Sequence, residues 1–97
     1  MSTDFAIQHD EDARVFETRQ DGHRGILTYL LQSGDGGAVM TIDHTGVPPA
    51  ARGKGMAAAL VAAAFAEARR RGWRVRPSCS YAAVWAGRHP DVGDLLV

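Results

Sequence analysis

Arg52, Gly53, Lys54, Gly55, Met56 and Ala57 carry the strongest chemical signal in the sequence. Glycines at the first and third positions after Arg52's own place in the run allow left-handed backbone and a close approach that a Cβ would obstruct. The alanine-rich apolar run that follows predicts a helix, whose first N–H groups have no partner within the helix. Such a start surrounds an anion with donors while the helix dipole favours its negative charge. Arg52 and Lys54 oppose that dipole by about 0.3–1 kcal/mol each unless an anion joins them. Glycine is also tolerated at an N-cap, so the loop read alone allows a plain helix start. The basic pair tips the reading toward polyanion binding. A nucleotide P-loop is excluded, because Gly, four residues and Gly-Lys-Ser/Thr do not occur at that spacing.

The elements that must position this loop can be read on either side of it. Residues 13–19 alternate imperfectly, with Ala13 and Val15 on one face and Phe16 on the other, and Asp21-Gly22 supplies a hairpin turn. Residues 25–31 form a second strand, closed by the turn signal Ser33-Gly34-Asp35-Gly36-Gly37. A third strand, 38–47, sets Val39, Thr41 and Asp43 against Met40, Ile42 and His44, and stops at Pro48-Pro49. Residues 53–71 then turn helical, with Met56, Leu60, Ala64 and Ala68 on one stripe and Val61 and Phe65 beside it. Arg69, Arg70 and Arg71 complement the negative end of that helix, and Gly72 is placed for a left-handed cap. A short strand at 73–77 and a second helix at 81–89, ended by Pro90, complete the pattern. The expected fold is α/β, a mixed sheet of about four strands with one long and one short helix, the last strand joined in parallel through a right-handed crossover.

Composition narrows the function classes. The sequence has 97 residues, 45% hydrophobic and 23% charged, which suits one folded domain over 1–97, with residues 1–12 flexible or a short edge strand. Its formal net charge is zero, so no overall field draws it to nucleic acid or an anionic membrane. The arginines at 69, 70, 71, 74 and 76 around Trp73 read as a solvated helix end, and no nucleic-acid partner is expected. A single cysteine, Cys79, excludes an internal disulfide, and no metal site is expected. Residues 1–12 are acidic and polar where a secretory signal would be basic and then apolar, and the apolar run 56–68 falls short of the roughly 20 residues of a membrane span. A cytoplasmic monomer or weak homodimer, with no membrane partner, is the expectation.

The run Arg52-Gly53-Lys54-Gly55-Met56-Ala57 resembles the Arg/Gln-x-x-Gly-x-Gly/Ala pyrophosphate loop of the GNAT acetyltransferase superfamily. His44-Thr45-Gly46-Val47-Pro48 upstream and Pro77-Ser78-Cys79-Ser80-Tyr81 downstream extend the resemblance over residues 25–94, to a minimal, single-domain branch. The resemblance implies a splayed GNAT-type sheet and acetyl-CoA or coenzyme A as cofactor. It places the pyrophosphate on Arg52, Gly53, Lys54, Gly55, Met56 and Ala57, and the pantetheine arm along the main chain of Thr45, Gly46 and Val47. It further implies an N-acetyltransferase acting on an amine of a small molecule or peptide. Larger members add N-terminal helices that form much of the acceptor pocket, and this sequence starts with strands, so the acceptor stays open.

Within that resemblance Cys79 and Tyr81 lie near the thioester, and the short branch carries a cysteine at this position. An acetyl-cysteine shuttle needs a thiolate, and a free cysteine near pKa 8.5 supplies only a few per cent at pH 7, so a nearby base or a depressed pKa is required. His44 is the candidate base, and Tyr81 the candidate proton donor to the departing thiolate. The plain alternatives are a packed thiol, a strand histidine bonded to main chain, and an aromatic packed beside Trp85. Two other functions remain open: a coenzyme A or acyl-CoA binding module without turnover, and a docking surface without cofactor.

Overall fold

The alternation read along the first half of the chain builds a sheet. The computed structural model describes residues 5–34 and 36–97. Five strands, β1 (Gln8–Asp10), β2 (Val15–Gln20), β3 (His23–Gly34), β4 (Gly37–Gly46) and β5 (Arg74–Pro77), pair in that order. The first four run antiparallel to their neighbours, and β5 lies parallel to β4. Helix α1 (Met56–Arg71) makes the crossover, and α2 (Ser80–Gly87) and a 3₁₀ segment (Pro90–Leu95) follow β5. The mixed α/β architecture is the expected one, with β1 as an additional strand at the edge.

Asp21-Gly22 makes the β2–β3 hairpin turn, with φ of 53° and 79°, the doubly left-handed geometry that suits the strand twist. The turn expected at 33–37 includes Asp35, which lies outside the described residues; the strands on either side meet at Gly34 opposite Gly37. β1 has little strand propensity of its own. His9 holds it, stacking on Phe16 with ring centroids 4.1 Å apart and placing Nε2 2.6 Å from the Tyr29 hydroxyl.

The core forms between one sheet face and α1. Phe16, Leu27, Tyr29, Met40 and Ile42 meet Met56, Leu60, Val61, Ala64, Phe65 and Ala68, the whole of the stripe read from the sequence. Fully burying Leu60 or Phe65 contributes about 1.5–3 kcal/mol each. α2 packs on the same side, its Trp85 ring 5.2 Å from that of Phe65. Residues that alternate to the other sheet face are open: Leu30 is 50% exposed, and Arg24, Asp43 and Arg76 are also exposed.

α1 starts at Met56, three residues later than expected, because Gly53 and Gly55 take φ of 80° and 89° and cannot continue a right-handed helix. It ends at the expected cap: Gly72, φ 74°, donates to the Ala68 and Arg69 carbonyls. The arginines of the last turn are bound more specifically than a solvated end requires. Arg69 forks onto Asp94, Arg70 pairs with Glu67, and Arg71 reaches Glu11 while stacking over Trp73 at 4.6 Å. β5 begins at Arg74, and Trp73 belongs to the core. Beyond α2 the tail returns to the sheet edge, where Leu96 bridges Val75. Among the described residues no helix is long and apolar enough to cross a membrane.

Candidate functional site

Two adjacent irregularities in β4 and β5 open the site. The pairing of β3 with β4 shifts between Thr28 and Tyr29: Thr28 faces His44 while Tyr29 faces Ile42, leaving Asp43 as an additional residue. This bulge bends the strand and reverses its alternation. The sequence pattern set His44 on the face of Met40 and Ile42. The bulge instead leaves His44 exposed opposite Thr28, and Thr45, opposite the buried Leu27, takes the helix-facing position. Asp43 is fixed by the Thr28 hydroxyl, which donates to its Oδ1 at 2.7 Å.

On the other side β5 ends at Pro77, the partner of Ile42 and a residue with no N–H to give. The N–H groups of Ser78 and Cys79 both turn back to the Ile42 carbonyl, at 3.0 and 2.9 Å. β4 runs on to Gly46 without β5 beside it. The two parallel strands therefore part, and a cleft of about 630 Å³ opens between the end of β4, the 52–57 loop and the start of α2.

Most of the residues singled out in the sequence meet in this cleft. Thr45, Gly46, Val47, Arg52, Gly53, Gly55, Met56 and Ala57 line it, with His44 and Tyr81 at its walls. Lys54 is exposed in the loop and is not part of the lining. Ala51, buried in the 3₁₀ turn Pro49–Ala51, adds to the wall. Phe5 was not singled out; its ring comes within 3.9 Å of where a Gly55 Cβ would stand. No motif around Phe5 marks it, because its contact with the loop joins residues far apart in the sequence.

The loop fits a polyanion. Gly55 caps α1 from a left-handed conformation, no side chain caps the helix, and its first bond runs from the Ala59 N–H to the Gly55 carbonyl at 2.9 Å. The N–H groups ahead of Ala59 are thus left at the mouth of the cleft. Arg52 braces the loop, donating from Nε to the Val47 carbonyl at 3.3 Å. The loop thus presents main-chain donors, the positive end of α1 and Arg52 to the cleft, with Lys54 exposed beside it.

Cys79 stands just behind the lining, as the N-cap residue of α2. Its Sγ lies 3.5 Å from Thr45 Oγ1. Burial pushes the thiol up, but donors at the Ala82 and Tyr81 N–H groups and the Thr45 hydroxyl outweigh it, so the pKa falls below the ordinary cysteine value. The thiol partner is thus Thr45. Among the described residues no hydrogen bond joins Cys79 to His44, whose Nε2 lies 2.8 Å from the position a Gly46 Cβ would take. Tyr81 is 41% exposed, on the wall shared by the cleft and a neighbouring groove.

A second cluster lies outside the cleft. His9, Glu11 and Glu67 bring donor atoms within 4.8 Å of one another at the far end of α1. Arg70 and Arg71 already pair with both carboxylates, holding their pKa values below the usual glutamate value. The cluster therefore reads as a tie between β1 and α1.

Comparison with known families gives a match that covers the cleft and all the elements around it. The family model described as GCN5-related N-acetyl-transferase aligns with residues 15–95 of the 97. Strands that part over a glycine-rich helix start, and a match extending from β2 to the end of the 3₁₀ segment, lead to one assignment: the chain belongs to the GCN5-related N-acetyltransferase family.

Proposed function

We propose that this chain binds acetyl-CoA in the cleft between β4 and β5 and transfers its acetyl group to an amine. The observation that carries this reading is the parting of β4 and β5 beside a start of α1 that no side chain caps and that two left-handed glycines shape. Acetyl-CoA supplies an acyl group activated as a thioester. The N–H groups at the start of α1, with Arg52 and Lys54, would hold the pyrophosphate. The end of β4, paired with β3 at Thr45 and Gly46 but free on its β5 side, and Val47 just beyond it would offer main-chain donors and acceptors to the amides of a pantetheine arm.

Three side chains remain for the chemistry. Cys79, bonded to Thr45 just behind the cleft lining, and Tyr81, on the cleft wall, follow the end of β5 and are suited to the sulfur of the cofactor. His44 is exposed at the cleft wall and is suited to take a proton from an amine arriving over the open sheet face.

Calorimetric titration of coenzyme A and acetyl-CoA into the wild type and Gly55→Glu tests the cofactor site. The expected result is binding by the wild type and its loss in a variant that still folds, since glutamate brings a side chain and negative charge to the phosphate position. Absence of binding by the wild type overturns the proposal. A second reading, a coenzyme A-binding module without turnover, is favoured by the exposure of the sheet face around Leu30, which leaves an amine little enclosure. Binding without acetyl transfer to a panel of amines and peptides would support that module over the transferase.

A further inference from the structure

Among the described residues nothing covers the sheet face turned away from the helices. Cross-strand partners share a face, so the register fixes which side chains stand there. Leu30 lies opposite Thr41, and Thr41 opposite Arg76, while Val39 lies opposite Arg74. Past the bulge, Val15 lies opposite Thr28, and Ile26 opposite Glu17. Val15, Ile26, Leu30 and Val39 make the middle of this face apolar. Leu30 is 50% exposed there, whereas Leu27 on the helix side is fully buried.

Charge is divided between the two edges of the same face. At the β5 edge Arg74 donates to the Leu96 carbonyl at 2.8 Å. Arg76 is exposed and, among the described residues, makes no ion pair or side-chain hydrogen bond. At the β1 edge a hollow of about 490 Å³ has Asp10, Asp12, Glu17 and Arg24 in its lining. Glu17 is already paired with Arg24 and Arg19. Asp10 accepts the Ala13 N–H at 3.1 Å, and among the described residues no cation pairs with Asp10 or Asp12. One edge thus has a spare guanidinium and the opposite edge spare carboxylates, in a chain whose net charge is zero.

We infer that this face is a homodimer interface, covered by the same face of a second copy. A twofold axis in the interface plane, passing between the two charged edges, sets the Arg76 edge of each copy against the Asp10–Asp12 hollow of the other and brings the apolar middles together. A partner of one sign of charge would be repelled at one edge, whereas a second copy matches both at once. At about 4.8 Å between strands and 3.3 Å per residue, the five strands cover roughly 550 Å². A standard stable interface takes about 800 Å² from each partner, so this dimer is weak and forms with rising concentration. His44 stands where β4 runs on past β5, at the border of the face and the cleft, and a second copy adds a wall beside it. The dimer does not depend on the cofactor reading.

The test is analytical ultracentrifugation of the full chain at low salt, from micromolar to millimolar protein, with the wild type, Leu30→Asp, Arg76→Glu and Asp12→Arg. All three substitutions fall on exposed side chains. The wild type is expected to pass from one copy to two and to stop there. Leu30→Asp should stay monomeric throughout. Arg76→Glu and Asp12→Arg, each alone, should weaken association roughly tenfold, because attraction becomes repulsion at both ends of the interface. An equimolar mixture of these two variants should associate again, since each then offers the charge the other lacks. A wild type that stays monomeric at millimolar concentration, or that grows beyond two copies, overturns the inference. So does a Leu30→Asp variant that associates like the wild type, or a mixture that associates no better than either variant alone.

Discussion

Cys79 is held from two different elements: its thiol donates to Thr45 Oγ1 on β4, and once ionised it accepts from that hydroxyl and from the N–H groups of the first turn of α2. Burial opposes ionisation and the donors favour it, with the donors ahead. A thiol with a lowered pKa is ionised over a wider range at the neutral side, so its alkylation rate should rise at lower pH than that of a free thiol. Thr45→Val removes one donor and should move the rate profile back to higher pH, with the N–H groups of α2 still in place. Iodoacetamide kinetics across pH measure both. A profile that coincides with free cysteine, or one that Thr45→Val leaves in place, would contradict the account of this thiol. The loop glycines could be singled out from sequence because their chemistry is local. The Cys79–Thr45 pairing could not, since it joins residues brought together by the bulge at Asp43.

At the scale of elements, α1 was the most readable part of the chain: its apolar stripe and Gly72 stop depend on residues close in sequence. Its start was less so, because the pattern of apolar residues does not record the left-handed φ of Gly53 and Gly55. β4 illustrates the opposite case. Its alternation continues evenly through Asp43, with no glycine or proline to mark a break, so the reversal that exposes His44 was hidden. The contact between β3 and α1 is equally hidden in a single residue. A Cβ on Gly25 would stand 2.5 Å from Met56 Sδ and 3.3 Å from Leu60 Cδ1, both in the core. Gly25→Val should therefore overpack this contact and destabilise the fold by about 1–3 kcal/mol. Urea denaturation measures this, and a variant as stable as the wild type would show that α1 can move away from β3 at little cost.

Across the whole molecule, the sheet divides the chain into a packed side and an open side. Both helices lie on the packed side, and long-range ion pairs hold its ends: Arg71 to Glu11 secures β1, and Arg69 to Asp94 secures the tail. None of these pairs could be read from sequence, because each acid lies far along the chain from its arginine. The consequence for function is that the cleft opens between elements fixed on either side, the end of β4 and the start of α1. The most direct measurement of the central claim is a coenzyme A titration followed by backbone amide resonances of the full chain. The amides of Gly53, Gly55, Met56 and Ala57 and those of Thr45, Gly46 and Val47 are expected to shift together, with those of β1 unmoved. Shifts confined to other parts of the chain, or none at millimolar coenzyme A, would contradict a cofactor site between β4 and β5.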